Sequence, residues 1–289
     1  MRRALLPTAL FLLLGIVLCA NCAYAEAASP ACTRQDLKAL TDKFFTALEA
    51  HNAASLPLAA NVKFTENGNE LAVGKGFFET AGTPDLKRTL IDTQKCATHT
   101  EAVIEENGRP ILYGVRLQTD SGKLSEIEMI IAREKEFAFN PKGVLETKDQ
   151  DWETVLAPEQ RSSRRAMIAA ADDYFDMFAA EPYVRTPFNN PCDRWENGMQ
   201  TTKGGTFQGK EYTPHDCSPK GLVITTHSPR RFLVDTDAGI VVAYVLFAGA
   251  LPDFHMFKMR NGKVDLIQAV VGPQAKSMGW PIDPSCGGK

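Results

Sequence analysis

A shift of 130 residues lays the chain on itself, and this internal repeat constrains the fold more than any other feature. Asp42-Lys43-Phe44-Phe45 falls on Asp172-Asp173-Tyr174-Phe175, and Glu66-Asn67-Gly68 falls on Glu196-Asn197-Gly198. Ala50, Pro57, Gly74 and Phe77 also meet identical residues, making nine identities between positions 42 and 77, where roughly two would arise by chance. A shift of 131 then matches Gly108 with Gly239 and Tyr113 with Tyr244. Self-similarity at so long a period means two copies of one domain rather than a stack of short repeats.

Each copy reads as a helix, a loop and several strands. Leu37, Leu40, Phe44, Ala47 and Leu48 recur at helical spacing over 37–50, and Thr33 with Asp36 forms an acidic capping box before them. A matching helix is predicted over 164–180. Strands are expected at 102–104 and 111–117, joined through Glu106-Asn107-Gly108-Arg109, and at 232–235 and 240–247, joined through Thr236-Asp237-Ala238-Gly239. The strongest turn signal is Asn261-Gly262, which makes 254–260 and 263–271 a hairpin. Its first-copy counterpart is placed within 126–139, where Arg133-Glu134-Lys135-Glu136 stands instead of a glycine turn. The chain therefore divides into a leader (1–25), a first repeat (26–148), a linker (149–162), a second repeat (163–275) and a tail (276–289). The fold class is α+β, with an N-terminal helix packed on a curved antiparallel sheet in each repeat.

The leader has the layout of a signal peptide. Met1-Arg2-Arg3 is followed by an apolar run over 4–18, and Ala23-Tyr24-Ala25 fits a cleavage site. The expectation is a secreted protein, extracellular or periplasmic, with no membrane attachment after cleavage. In such a compartment Cys32, Cys96, Cys192, Cys217 and Cys286 are read first as disulfide candidates. Cys32–Cys96 and Cys192–Cys217 are favoured because each pair stays within one half of the chain, although sequence alone does not choose among the pairings. With 32 basic and 35 acidic residues there is no cationic surplus to neutralise phosphates, so nucleic acid is excluded as a partner. Beyond the leader no Cys-x-x-Cys or close His pair suggests a metal. No Gly-x-Gly-x-x-Gly or Gly-x-Ser-x-Gly supports a nucleotide cofactor or a hydrolase elbow. The glycine-rich stretch 204–210 reads as a loop, and no cofactor is expected.

The run Lys43-Phe44-Phe45-Thr46-Ala47-Leu48-Glu49-Ala50-His51-Asn52, followed by Val62-Lys63-Phe64-Thr65-Glu66-Asn67-Gly68, resembles the opening of a nuclear transport factor 2-like domain. That superfamily includes ketosteroid isomerase and the polyketide cyclases (SnoaL-like proteins). Cys192-Asp193-Arg194-Trp195-Glu196-Asn197-Gly198 and Ser277-Met278-Gly279-Trp280 are similar to a secreted tandem family best represented in fungi. The resemblance implies two cone-shaped domains packed as an intramolecular pseudo-dimer, each with an apolar cavity between helix and sheet.

Chemistry is expected in the second cavity. A plain two-residue hairpin at Asn261-Gly262 sets His255 opposite Gln268, Phe257 opposite Leu266 and Lys258 opposite Asp265. His255, Phe257, Met259, Val264, Leu266 and Gln268 then share one face. The opposite face, with the pair Lys258 and Asp265, is assigned to solvent. His255 is the candidate proton carrier, with a structural hydrogen bond to Gln268 as the plainer reading. The resemblance gives Tyr174 the role of a donor to a developing enolate oxygen, which Phe44 in the first repeat lacks. The isomerase's catalytic aspartate would fall near Thr65 and Trp195, neither of which is a base. Arg194 could clamp a carboxylate and Trp195 could stack on a ring, whereas Glu196 and Asn197, shared by both repeats, are read as fold-building. Tyr212, His215 and Asp216 stand in a loop that could cover the cavity. Arg230 and Arg231 read as a solvated strand end or salt-bridge partners, and His51, His99 and His227 as surface or strand-end residues. The resulting expectation is a cofactor-independent acid–base lyase, dehydratase or isomerase for a small apolar or aromatic molecule. Its rival is a non-catalytic extracellular protein that binds such a molecule.

Overall fold

The computed structural model describes residues 32–180, 183–207, 210–219, 222–224 and 230–281. The leader, His227 and Cys286 lie outside them. Thr33 caps α1 (Arg34–Glu49), accepting from the Asp36 backbone N–H at 3.2 Å, and the helix buries Leu37, Phe44, Phe45 and Leu48. The strands β1 (Leu58–Glu66), β2 (Asn69–Glu70), β3 (Ala81–Asp92), β4 (Ala97–Glu106), β5 (Arg109–Asp120) and β6 (Lys123–Ala132) follow. They form one sheet in the order β2-β1-β6-β5-β4-β3. After the short α2 (Pro141–Leu145) the plan returns with α3 (Arg164–Ala180), β7 (Phe188–Glu196) and β8 (Met199–Gln200). The stretch read as a loop at 204–210 enters a small hairpin, β9 (Gly205–Phe207) with β10 (Lys210–Tyr212). Finally β11 (Arg231–Asp235), β12 (Ile240–Phe247), β13 (Leu251–Arg260) and β14 (Lys263–Val271) give the order β11-β12-β13-β14-β7-β8.

Neither sheet is purely antiparallel. β1 runs parallel to β6, and β7 runs parallel to β14. Strands next to each other in the sheet but far apart in sequence can run parallel because the intervening meander serves as the long connection. Both favoured disulfides are present, Cys32–Cys96 and Cys192–Cys217. No helix among the described residues is long and apolar enough to cross a membrane.

The repeat does not keep one spacing. The counterpart of Asn261-Gly262 is Ser121-Gly122, between β5 and β6, with φ of 51° and 77° against 52° and 77°. Arg133 to Glu136 lie beyond β6 and form no hairpin. Gly108 turns between β4 and β5, whereas Gly239 turns between β11 and β12, so the matches at a shift of 131 are not structural ones. A longer segment between β8 and β11 than between β2 and β3 pushes the next strands to a shift of about 143. The last hairpin then settles at 140. By register Val115, Tyr113 and Met129 stand where His255, Asp253 and Ala269 stand.

One face of each sheet packs on its own helix. The other faces pack on each other through Leu112, Ile130, Tyr244, Phe254, Met256 and Val270, among others. Contacts across this junction are reciprocal. Arg34 of the first helix reaches both oxygens of Asp235 at 2.9 and 2.8 Å, and Arg164 of the second reaches both of Asp92 at 2.8 and 2.7 Å. The same two aspartates accept from the opposite sheet, Asp92 from Val234 N–H and Asp235 from Ile91 N–H. His99 is buried here rather than at a surface, and its Nδ1 lies 2.8 Å from the Tyr244 hydroxyl. Burial, then the charge of Arg116, lowers its pKa to about 3, so it is neutral. The stretch read as a linker is packed on the second repeat, where Leu156 N–H donates to Asp237 O at 2.8 Å and Trp152 is buried.

The shared Asn-Gly pair serves this architecture. Asn67 and Asn197 take left-handed φ angles of 47° and 46°. Each pins the end of its own sheet's last strand: Asn67 bonds both backbone groups of Ile131, and Asn197 both groups of Val271. Beside them Gly68 and Gly198 let the other repeat's exit segment pass. A Cβ would lie 2.1 Å from Ser277 O at Gly68 and 1.9 Å from Asn140 O at Gly198. Asn197→Ala leaves those strand-end groups buried without partners and should cost about 2–4 kcal/mol, with Asn67→Ala close behind. Urea unfolding checks both, and a loss below about 0.5 kcal/mol would reject this role.

Candidate functional site

A bulge places the residues of the second cavity. β13 and β14 slip by one residue between Lys258 and Met259, so Lys258 faces Leu266, Phe257 faces Ile267 and His255 faces Ala269. The first repeat carries the same slip between Gln118 and Thr119. His255 and Phe257 stay on the cavity side, but Gln268 turns to the opposite face. There it donates to Thr147 Oγ1 and Gln150 Oε1, both at 3.2 Å, and never meets His255. That face is not solvated either. Lys258 is 0% exposed and its ammonium donates to Trp152 O and Ala238 O at 2.8 and 2.7 Å, so charge on a strand did not mark the wet side. Burial lowers the Lys258 pKa to about 8.

Strand alternation decides β7 in the same way. Arg194 and Glu196 line a cavity of about 400 Å³. Trp195 points to the other face, pairs in register with Gln268, and is not in the lining. Phe257 is fully buried beneath the site, its ring 5.2 Å from Tyr174 and 6.0 Å from His255. The remaining walls are largely apolar, with Phe137, Met199, Leu222, Phe247 and Leu251 contributing.

At one end of this cavity four ionisable side chains converge. His255 is 1% exposed, and its Nδ1 is 2.9 Å from Asp253 Oδ1. Its Nε2 has no hydrogen-bond partner and lies 3.9 Å from Glu196 Oε1. Arg194 stands on the far side of Glu196, its Nε 3.5 Å from Oε1. The guanidinium is held by Thr201 Oγ1 at 2.8 Å and by Cys217 O and the Tyr174 hydroxyl at 2.9 Å each. Tyr174 thus sits behind Arg194 and outside the lining, where it positions the guanidinium instead of addressing a ligand directly. Burial, against the opposing charge of Arg194, pushes the Tyr174 phenol up, so it keeps its proton.

The electrostatics follow from this geometry. Burial alone would lower the pKa of His255, but the charge and hydrogen bond of Asp253, then Glu196, outweigh it and raise it to about 9. Burial raises Asp253, with His255 opposing. Burial also raises Glu196, yet Arg194 and then His255 bring it below the usual carboxylate value. Within the His255–Asp253 pair the proton rests on the imidazole at neutral pH, because one cation lies between two carboxylates. Two positive and two negative charges leave the cluster balanced. A folded-state pKa raised from 6.5 means a contribution to stability that is complete below pH 6.5 and lost as pH rises through about 9. Melting temperature should therefore fall between pH 7 and 10 by more in the native protein than in His255→Gln, and equal falls would refute the raised value.

Asp253 and Glu196 were the residues that sequence reasoning missed. Asp253 lies two residues before His255 on one strand, a spacing that alternation alone puts on the same face. Glu196 reads as fold-building from sequence because Glu66 repeats it, but their partners differ. Glu66 is taken up by Arg133 Nη2 at 2.9 Å and Phe77 N–H at 2.8 Å. The first repeat has Phe44, Phe64, Tyr113 and Val115 at the positions of Tyr174, Arg194, Asp253 and His255, and Phe77 and Phe78 pack beside them in a buried apolar cluster. His215 does not pair with Asp216; its Nδ1 lies 2.9 Å from Asp193 on the exposed side. Arg230 pairs with Asp172 and Asp176, and Arg231 with Glu128. Among the described residues no group of three His, Cys, Asp or Glu is arranged to hold a metal ion.

A family model described as a domain of unknown function (DUF8021) matches residues 160–271. No curated protein matches the chain in sequence. Among solved structures, an NTF2-like protein of unknown function from Cytophaga hutchinsonii is similar at 14% identity over 39% of this chain and 95% of its own, with a TM-score of 0.28. A proposed ketosteroid isomerase from Kribbella flavida is similar at 14% identity over 43% of this chain and 93% of its own, with a TM-score of 0.30.

Proposed function

We propose that the chain is a secreted, cofactor-independent acid–base enzyme, a lyase or isomerase, whose second repeat takes a small uncharged apolar or aromatic molecule. The observation that carries this reading is His255 Nε2, buried and unpartnered at the cavity wall, with Asp253 fixing the other ring nitrogen. A ring held in this way delivers its proton in one direction. His255, charged at neutral pH, protonates a leaving hydroxyl or a carbonyl oxygen. Glu196, 3.9 Å away and ionised, takes a proton from the neighbouring carbon. In an elimination the C–H and C–O bonds break, a C=C bond forms and water leaves. In an isomerisation the proton returns to a different carbon. Arg194 supplies positive charge toward an enolate oxygen. The balanced charges of the cluster favour a neutral substrate, and the apolar walls favour a hydrocarbon or aromatic body.

The nuclear transport factor 2-like reading fits this placement, since each repeat packs a helix over one face of its sheet. It does not extend to steroid isomerisation by the known aspartate, because by the resemblance that base would fall near Thr65 and Trp195, and neither is a base. Incubating the secreted protein in D2O with a pool of extracellular metabolites tests the proposal by mass. Loss of water from a component, or a new nonexchangeable deuterium, supports it. Components retained by the protein but unchanged in mass would replace it with the binding-protein reading.

A further inference from the structure

A second cavity, about 320 Å³, opens at the junction of the sheets and shares no lining residue with the first. Arg116, Arg231, Lys95 and Glu126 line it, with Tyr244 and Trp280 as aromatic wall, and Glu128 behind them accepts from both arginines. Arg116 is 5% exposed. Its Nε donates to Glu128 and its Nη1 pairs with Glu126, both at 2.7 Å, but its buried Nη2 has no acceptor. The Trp280 ring lies 4.7 Å from the Arg116 guanidinium and is fixed by its Nε1–H donating to Thr65 Oγ1 at 2.9 Å.

The repeat supplies an internal template for what such a groove accepts. At the shifts of 143 and 140, Arg88 is the counterpart of Arg231 and Gln268 the counterpart of Glu128. On that side the groove is filled by the chain itself. Arg88 Nη2 donates to the Thr147 carbonyl and hydroxyl at 2.5 and 2.7 Å, the Trp152 ring lies 5.9 Å from its guanidinium, and Gln268 donates to Thr147 Oγ1. The occupant there is a set of oxygen acceptors beside a flat ring. The matching place by Arg231 is open among the described residues, and it carries an unanswered donor on Arg116.

We propose that this cavity is a second ligand site, for a small aromatic carboxylate. The carboxylate would answer Arg116 Nη2 beside Arg231, in the charge-assisted geometry that arginine favours. The ring would pack against Phe232, Tyr244 and Trp280.

Benzoate, with benzamide as its uncharged match, tests this in the full chain by NMR of the three tryptophan indole N–H signals, Trp280→Phe identifying the relevant one. Saturable movement of the Trp280 signal by benzoate is expected, with benzamide weaker by about tenfold or more. His255→Gln, in the other cavity, should leave benzoate binding unchanged. Equal binding of benzoate and benzamide, loss of the shift in His255→Gln, or no movement of Trp280 would each overturn the proposal. A shift seen only in a chain ending at Pro281 would also overturn it, because the cavity would then be occupied by the chain's own last residues.

Discussion

His255→Gln is expected to lower kcat on the molecule found in the D2O experiment by about 10²–10⁴-fold, the usual worth of a positioned general acid or base. KM should change far less, because the apolar walls that hold the substrate stay in place. Asp253→Asn keeps the shape of the pair but removes the charge that holds the proton on the ring, so its loss should be of the same order. Glu66→Gln supplies the control, since that carboxylate is engaged by Arg133 in the first repeat and should leave turnover unchanged. Circular dichroism at the assay temperature establishes that each variant is folded. A folded His255→Gln protein with native turnover would remove His255 from the reaction.

Gly114→Val should be the most damaging single change to the fold. Gly114 and Phe254 are equivalent positions, 140 residues apart, that meet where the two sheets pack. A Cβ on Gly114 would stand 2.0 Å from Phe254 Cε1, and that ring cannot retreat because its centroid is already 4.2 Å from that of buried His99. Overpacking at so rigid a contact should cost about 3 kcal/mol or more. Urea unfolding of Gly114→Ala alone and in a Phe254→Ala background isolates the contact. Most of the Gly114→Ala penalty should vanish in the double variant, and a penalty unchanged by removal of the ring would contradict this account of the packing.

Much of this architecture was legible from the residues. Helical spacing over 37–50, the Thr33 cap, the Asn261-Gly262 turn and the two disulfides all depend on local chemistry or on distance along the chain. What was not legible depends on register. One extra residue on β14, Asp265 opposite the step from Lys258 to Met259, reverses the face of everything beyond it, and nothing about Val264-Asp265-Leu266 announces a bulge. Gln268 therefore moved out of the site. Lys258, read as solvated because it is charged, instead donates to the buried carbonyls of Trp152 and Ala238. Repetition also misled in one place and helped in another. Glu-Asn-Gly builds the junction in both repeats through its Asn and Gly, while its Glu answers Arg133 in one copy and His255 with Arg194 in the other. Only the surrounding residues, Val115 and Tyr113 against His255 and Asp253, separate a filled apolar core from a charged site.

The central claim is that His255 carries a proton at neutral pH between Asp253 and Glu196, facing the cavity. Nitrogen-15 NMR of the imidazole reads that state directly through a pH titration. An apparent pKa near 9, falling by about two units or more in Asp253→Asn, is the result this account predicts. An imidazole already neutral at pH 7 in the native protein, or a titration indifferent to Asp253, would contradict it.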